Sequence, residues 1–132
     1  MNKTNQAGLV AELAFSKRAV QLGWKVFTPL STERYDLLIQ RDSHSFERIQ
    51  VKCGRIKNNC VLYNTTSNSE GVGKPVNYVL GEDIDGIGVY APEIDQCFLV
   101  TDHLPKGNGT LRLASSVHAA NITTRWANDY RL

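Results

Sequence analysis

The residues with the clearest chemical potential are Asp36 and, further along the chain, Gln50 and Lys52. Residues 34–40 and 48–53 are both rich in aromatic and branched apolar side chains, and a short polar segment separates them, which predicts a β-hairpin. Because side chains alternate faces along a strand, Gln50 and Lys52 share the face opposite the apolar residues of the second strand. A carboxylate beside an amide and an ammonium group is a layout typical of a hydrolytic metal site.

The spacing of these residues resembles that of the PD-(D/E)XK nucleases. Asp36 is followed, after 13 intervening residues, by Gln50-Val51-Lys52, and Glu12 on a preceding predicted helix fits the same scheme. Gln50 takes the acidic position of the motif, and some members are similar in having Gln there. The flanking sequence looks like one branch, the homing endonucleases encoded in group I introns (cyanobacterial type), at Gly23, Val26, Pro29-Leu30, Tyr35-Asp36-Leu37 and Ile49-Gln50-Val51-Lys52. This resemblance covers residues 7–57 well and continues loosely through 85–90, 111–113 and 125–127.

The resemblance implies a fold, an activity and a site. The fold is expected to be α/β, with a restriction-endonuclease-like core, a mixed β-sheet flanked by helices, and an extra β-hairpin or loop region. The activity is expected to be a Mg²⁺-dependent double-strand break in a long double-stranded DNA target, with Mn²⁺ as a substitute ion and a homodimer or homotetramer as the active assembly. Glu12, Asp36, Gln50 and Lys52 would be catalytic. The metal ligands would be Glu12, Asp36, Gln50 and the carbonyl of Val51.

The helix that carries Glu12 is predicted over residues 5–22, with Thr4 or Asn5 as its N-cap and Gly23 after its last turn. Glu12 lies at the edge of the predicted apolar stripe. Taken alone it would be a solvated helix carboxylate, but the Asp36 and Gln-x-Lys partners favour a role in the site. The stripe itself is predicted to comprise Leu9, Leu13 and Val20, with Val10 beside them.

One group of candidate DNA contacts lies in the loop that leads to Asp36. Ser31, Thr32 and Arg34 have side chains suited to phosphate contacts. The same residues are equally suited to a plain polar loop, so both interpretations stay open.

A second group of candidate DNA contacts follows the hairpin. Arg55 and Lys57 lie in a predicted turn over residues 54–59, and a turn at the active-site end of a sheet can hold a nucleic-acid backbone. Lys74 is the one cation of a predicted long polar loop over residues 64–77, and loops of that length inside a domain are typically functional or disordered.

The rest of the chain predicts further strands and a short closing helix. Asp83 and Asp85 are better explained by a turn or a helix N-terminus than by metal ligation. Trp126 and Tyr130 are four residues apart, a spacing that would dock a short terminal helix. The further strands are predicted over residues 24–28, 60–63, 78–80, 86–90 and 96–100, with a hairpin turn at 91–95.

Length and composition favour a single domain over residues 1–132, and the resemblance implies that it is a nuclease domain. Apolar residues make up 42% and charged residues 21%, which is ordinary for a globular protein, and the net charge of +2 is only weak support for a nucleic-acid partner. The sequence contains no run of 18 apolar residues that would predict a membrane span. Residues 1–6 lack the apolar core of a signal peptide, so a cytoplasmic location is expected. The three cysteines include no Cys-x-x-Cys pair, which argues against a zinc site, and Cys53 and Cys97 are expected to be buried.

Two alternative functions remain open at this point. A structure-selective nuclease of the same fold, such as a Holliday-junction resolvase, would select its substrate by branching rather than by sequence. A catalytically decayed DNA-binding module would have lost activity through Gln50. A purely structural protein would leave Glu12, Asp36 and Lys52 as a coincidence.

Overall fold

The computed structural model describes residues 1–43, 45–68, 75–113 and 124–132. Two helices and ten strands are assigned in these ranges. In chain order they are α1 Lys3–Gln21, β1 Lys25–Phe27, β2 Leu37–Gln40, β3 Glu47–Cys53, β4 Arg55–Lys57, β5 Cys60–Asn64, β6 Thr66–Asn68, β7 Pro75–Asn77, β8 Gly86–Ala91, β9 Gln96–Val100, β10 Asn108–Arg112 and α2 Ala127–Tyr130.

The main sheet has five strands in the order β1-β2-β3-β8-β9. Strands β3 and β8 pair in parallel and the other neighbours pair antiparallel, so the sheet is mixed. The predicted hairpin is present, because β2 and β3 are antiparallel and place Leu37 opposite Ile49. The predicted strands around residues 86–90 and 96–100 are the β8–β9 hairpin.

Helix α1 covers one face of the main sheet, and a small sheet of order β10-β5-β4 covers the other. The α1 layer encloses Phe15 with Ile39 and Ile49, all fully buried. The opposite layer encloses Ile87 and Val89 with apolar residues of the small sheet such as Val61. Layers on both faces of a sheet are what its two-sided apolar pattern requires.

The predicted apolar stripe of α1 is wrong. Leu9, Val10, Leu13 and Val20 are all exposed, whereas the buried residues of the helix are Ala11, Phe15 and Ala19. These residues are buried because α1 packs closely against the sheet. The small side chains of Ala11 and Ala19 flank Phe15, and the Phe15 ring contacts Gly88 of the sheet. The helix also begins earlier than predicted, since the Asn2 side chain accepts the N–H of Asn5 at 2.8 Å as the N-cap.

Gly88 is expected to be essential for the packing of α1 on the sheet. A Cβ at Gly88 would lie 2.6 Å from the Phe15 ring, which is fully buried and has no room to withdraw. Gly88→Ala should therefore lower the free energy of unfolding by about 1 to 3 kcal/mol, the usual cost of overpacking a core. The matched control is Gly8→Ala, where an added Cβ meets nothing within 4 Å. That helical substitution should raise stability by up to about 1 kcal/mol, and equal urea midpoints for the two variants would contradict the close-packing explanation.

Several other predicted elements need correction. The turn predicted over residues 54–59 instead contains strand β4, which pairs with β5, and only Asn58 and Asn59 form the turn. The loop predicted over residues 64–77 contains the paired strands β6 and β7, with residues 69–74 outside the described part. Residues 78–80 do not form a strand, apart from one isolated bridge at Leu80.

The cysteine and terminal predictions had mixed outcomes. Cys97 is buried as expected, but Cys53 is exposed, because β3 runs past the end of the core. The short terminal helix is present as α2, beginning after Trp126 and ending at Tyr130. Neither helix of the described residues is long and apolar enough to cross a membrane.

Candidate active site

The candidate site lies where β2 and β3 part. The last bond between these strands is from the Asp36 N–H to the Ile49 carbonyl, at 2.9 Å, while β3 continues to Cys53. The N–H of Val51 therefore donates to the Asp36 carboxylate instead of to a strand, at 2.8 Å. Since the N–H and C=O of one strand residue point to the same edge, the Val51 carbonyl is also directed to the Asp36 side.

Glu12 of α1 faces Asp36 across this gap. Burial, followed by the nearby Asp36 charge, raises the pKa of Glu12 to about 7. Burial also raises the pKa of Asp36, although the Val51 N–H and the Lys52 charge act in the opposite direction. The protonated carboxyl of Glu12 thus donates a hydrogen bond to Asp36, and near neutral pH the pair shares a proton.

Lys52 is held in place by groups from later in the chain. Its Nζ donates to the carbonyl of Thr66 at 2.8 Å and lies 5.3 Å from the centre of the Tyr78 ring. Burial lowers the pKa of Lys52, while the Asp36 carboxylate favours the charged form. The ammonium is therefore oriented by fixed partners and partly removed from water.

One cavity joins these groups. Its volume is about 560 Å³, and it is bounded by the start of α1 and the end of β3. The lining comprises Lys3, Thr4, Ala7, Gly8, Glu12, Asp36, Gln50, Val51, Lys52 and Cys53. The structure thus brings together all five residues predicted as catalytic or metal-binding.

Comparison with known proteins decides the family. The family model for PD-(D/E)XK endonucleases matches residues 2–132. The chain belongs to the PD-(D/E)XK endonuclease family. It is therefore a nuclease, and nucleases of this family typically use divalent metal ions. None of the curated proteins matches the sequence.

Among solved structures, the nuclease is similar to one described as a bacterial homing endonuclease, I-Ssp6803I. The TM-score is 0.68 with 21% sequence identity, and the match covers 99% of this chain and 88% of the other. The family and the α/β fold with a mixed sheet, as predicted from the sequence, are both confirmed.

The donor chemistry of the nuclease site suits a hard divalent cation. Glu12 and Asp36 offer carboxylates, Gln50 offers an amide oxygen and Val51 a carbonyl, so every donor is oxygen, as Mg²⁺ prefers. The raised pKa values of the two carboxyls show that the cavity disfavours their paired negative charge, which a cation would compensate. Within the described residues no three His, Cys, Asp or Glu side chains form a cluster able to hold a metal.

Some residues that line the cavity, or that contact Lys52 beside it, were not predicted from the sequence. Thr4 and Gly8 precede Glu12 at steps of four, so they share its helix face, and this spacing was a usable signal. The lack of a side chain at Gly8 leaves the cavity mouth open. Thr66 and Tyr78 had no such signal, because their contact with Lys52 joins segments far apart in the sequence.

The loop residues predicted to contact DNA have different surroundings. Ser31 and Thr32 are exposed, and the Ser31 hydroxyl donates to Glu33 at 2.9 Å. Arg34 forms an ion pair with Asp83 at 2.7 Å and lies 4.5 Å from the centre of the Tyr78 ring. Arg34 thus flanks Lys52 on the same ring.

Arg55 and Lys57, two further predicted DNA contacts, do not line the cavity. Both are exposed on β4, and Lys74 lies outside the described residues. Asp85, predicted to lie in a turn or at a helix N-terminus, forms an ion pair with Arg48 at 3.0 Å.

The proton shared by Glu12 and Asp36 predicts a pH dependence of stability. A carboxyl whose pKa is raised on folding binds more protons in the folded state, so the contribution of Glu12 to stability is greatest below about pH 4.5 and is lost as the pH rises through about 7. Metal-free wild-type protein should lose stability between pH 5 and pH 8. In Glu12→Gln this loss of unfolding free energy should be smaller by about 1 to 2 kcal/mol, a value discounted for the partial exposure of the group. Urea unfolding in EDTA at both pH values measures this difference. The control is Glu33→Gln, an exposed carboxylate, and an unchanged pH dependence in Glu12→Gln would refute the pairing.

Proposed function

We propose that this nuclease is a Mg²⁺-dependent homing endonuclease that makes a double-strand break in a long double-stranded DNA target. The observation that carries the proposal is the convergence of Glu12, Asp36, Gln50 and Lys52 on one cavity at the parting of β2 and β3. Similarity to a bacterial homing endonuclease over almost the whole chain supports the homing activity.

The metal would be held by oxygens of β3, of Asp36 immediately before β2, and of Glu12 in α1. Asp36 is the central carboxylate, Glu12 binds from the helix, and Gln50 and the Val51 carbonyl complete the protein share. A divalent ion at such oxygens polarises the scissile phosphate and lowers the pKa of water. Because Glu12 and Asp36 share a proton when metal-free, loading requires that proton to leave, so metal affinity should rise through neutral pH.

Lys52 would act directly on the phosphate or on the attacking water. Phosphodiester hydrolysis places additional negative charge on the phosphorus oxygens and the leaving oxygen in the transition state, and a fixed ammonium stabilises that charge. The Thr66 carbonyl and the Tyr78 ring already orient Nζ, so little reorganisation is needed during the reaction. Arg34, which also lies against the Tyr78 ring, would add a second cation near the DNA backbone.

The proposal is tested by cleavage of a supercoiled plasmid that carries an intron-free copy of the gene that hosts the intron. The assay is run with Mg²⁺ and with EDTA. Linear product at one position, formed only with Mg²⁺, is expected. A four-way junction and its linear arms are assayed in parallel. Preferential cutting of the junction would identify a structure-selective nuclease instead, and binding without cutting under all conditions would identify a decayed module.

We also predict that the active nuclease is a homo-oligomer, assembled partly through the second half of the chain. Two cuts on opposite strands need two active sites, and a long target needs more surface than one chain of 132 residues usually presents. Multi-angle light scattering of the protein, free and bound to its cleaved target, should give a dimer or tetramer mass. A monomer in both conditions would contradict this prediction.

A further inference from the structure

The small sheet has an outer face that is basic and polar. Its inner side, with Val61, Tyr63 and Leu111, packs into the core. Side chains at the alternate positions must therefore point away from the core. We call this set the outer face: Arg55, Lys57, Cys60, Leu62, Asn64, Asn108, Thr110 and Arg112.

The charge and hydrogen-bonding groups of the outer face suit a polyanion. None of the strands β4, β5 and β10 contains Asp or Glu, while Arg55 and Lys57 supply two exposed cations. Register places Arg55, Leu62 and Thr110 in one row across the sheet, and it places Asn64 opposite Asn108. Glu93 bonds to these strands only at their border, where it accepts the Ile56 N–H at the edge of β4. A ligand with phosphates and hydrogen-bonding edges would complement this surface.

The outer face is continuous with the active-site cavity. Cys53 lines that cavity, and it also lines a smaller cavity of about 170 Å³ together with Arg55, Leu62 and Asn108. Strand β3 runs into β4 with only Gly54 between them, where a Cβ would lie 2.8 Å from Val89. Strand β3, which carries Lys52, and strand β4, which begins the outer face, thus form one nearly continuous, tightly packed segment.

We propose that the outer face of the small sheet lies in the major groove of the DNA and reads base pairs next to the cut. This inference rests on the nuclease function proposed above and adds to it the surface that determines sequence preference. Strands β5 and β10 form an antiparallel two-stranded ribbon, which is the width of β-structure that the major groove admits, and β4 lies beside this ribbon as the edge strand.

The residues of the outer face divide by chemistry into two roles. Arg55 and Lys57 on the edge strand contact phosphates, which fixes register without reading sequence. Asn108 and Thr110 present amide and hydroxyl groups to base edges, and Leu62 in the same row offers an apolar contact of the kind a thymine methyl accepts. At about 3.3 Å per residue, the Cα of Arg55 is at most about 10 Å from that of Lys52. Base pairs read by this face therefore lie within about half a helical turn of the cut, or roughly 3 to 6 base pairs.

A second copy of the chain fits the outer face less well than DNA does. Two such faces brought together by a two-fold axis would oppose cations with cations, and the strands carry no carboxylate to compensate them. Contact between copies is therefore an outcome that the experiments must separate.

The first experiment measures binding to a 30-base-pair duplex of random sequence as salt is varied. Removing one cation that neutralises a phosphate lowers the slope of log affinity against log salt by about 0.9, so the double variant Arg55→Gln/Lys57→Gln should lower it by about 2. Arg55→Lys, which keeps the charge, should retain most of the wild-type slope. Lys17→Gln on the exposed side of α1 is the matched control and should leave the slope unchanged. Light scattering of each variant without DNA reports any change of assembly.

The second experiment sequences the ends produced when the nuclease cleaves a plasmid library with a randomised insert. Asn108→Ala and Thr110→Ala should each lose about tenfold discrimination at base pairs within half a turn of the cut. Preferences further away should be retained. Asn128→Ala on α2, also an exposed asparagine, is the control and should reproduce the wild-type preferences.

The outcomes are distinguishable. If wild type cleaves but the outer-face variants match Lys17→Gln and Asn128→Ala, the groove inference is overturned and the nuclease function stands. If Arg55→Gln/Lys57→Gln changes the assembly without DNA, the face is a contact between copies, which also overturns it. If wild type neither binds nor cleaves duplex DNA, the proposed function fails and the inference fails with it.

Discussion

Replacement of Lys52 by Ala is expected to abolish DNA cleavage while leaving DNA binding largely intact. The side chain stands beside Asp36 on the cavity wall, and its ammonium is aimed by the Thr66 carbonyl and the Tyr78 ring. Removal of one preorganised charge from a partly buried site typically costs about 10²- to 10³-fold in kcat. Binding is expected to change much less, because the phosphate contacts proposed for the outer face and the loops would remain.

Single-turnover cleavage with Mg²⁺ and equilibrium binding with Ca²⁺ measure the two effects of Lys52→Ala separately. Lys17→Ala, which removes an exposed cation of α1, is the matched control and should retain wild-type values in both assays. Lys52→Ala turning over at the wild-type rate would remove Lys52 from the catalytic site.

The second large effect concerns the charge of the metal ligands. With Glu12 and Asp36 ionised and Lys52 protonated, the set carries a formal charge of −1, and Glu in place of Gln50 makes it −2. Gln50→Glu is therefore expected to bind a divalent ion more tightly than wild type, by about tenfold for each 1.4 kcal/mol gained. Cleavage need not accelerate, since an added carboxylate also repels the phosphate and pairs with Lys52.

Calorimetric titration with Mn²⁺ at pH 8 tests this order. That pH lies above the pKa of about 7 of Glu12, so protons compete little with the metal. Gln50→Asn, which keeps the amide but shortens the side chain, separates the effect of charge from that of reach. An affinity of Gln50→Glu equal to or below that of wild type would show that Gln50 is not a metal ligand.

The strand residues of the site were predictable from sequence because their geometry is local. Alternation along β3 alone puts Gln50 and Lys52 on one side, and the hairpin brings Asp36 to the neighbouring strand. Glu12 needed the family resemblance, since nothing local to the helix distinguishes it from a solvated carboxylate. The contacts of Lys52 with the Thr66 carbonyl and the Tyr78 ring could not be predicted from the sequence, because only the tertiary fold brings these residues together.

The error in the helix face has a specific cause. Leucine and valine stripes usually mark the buried side of a helix, yet here the buried side has Ala11, Phe15 and Ala19. Small residues allow α1 to approach the sheet so closely that a ring touches Gly88, a distance that no hydrophobic pattern encodes. The face so chosen is also the one that directs Glu12 to Asp36.

Short polar strands were the other elements that could not be predicted from the sequence. Strand β4 is a three-residue segment between Gly54 and the turn at Asn58 and Asn59, so the whole segment was predicted as a turn, and pairing with β5, which also pairs with the distant β10, makes it a strand. Strands β6 and β7 likewise consist of polar or turn-forming residues apart from Val76. Composition alone does not reveal the pairing of segments this short and polar, because β-propensity depends strongly on what the strand packs against.

Mn²⁺ titration of Asp36→Asn beside wild type is the most direct measurement of whether the parting of β2 and β3 is the metal site. Asp36 is the carboxylate held by the Val51 N–H and by Glu12, so its conversion to an amide removes the central charge. We predict that wild type binds Mn²⁺ at pH 8, that the control Asp129→Asn on α2 binds equally, and that Asp36→Asn loses both binding and cleavage. Wild-type Mn²⁺ affinity in a folded Asp36→Asn protein would contradict the assignment of the active site.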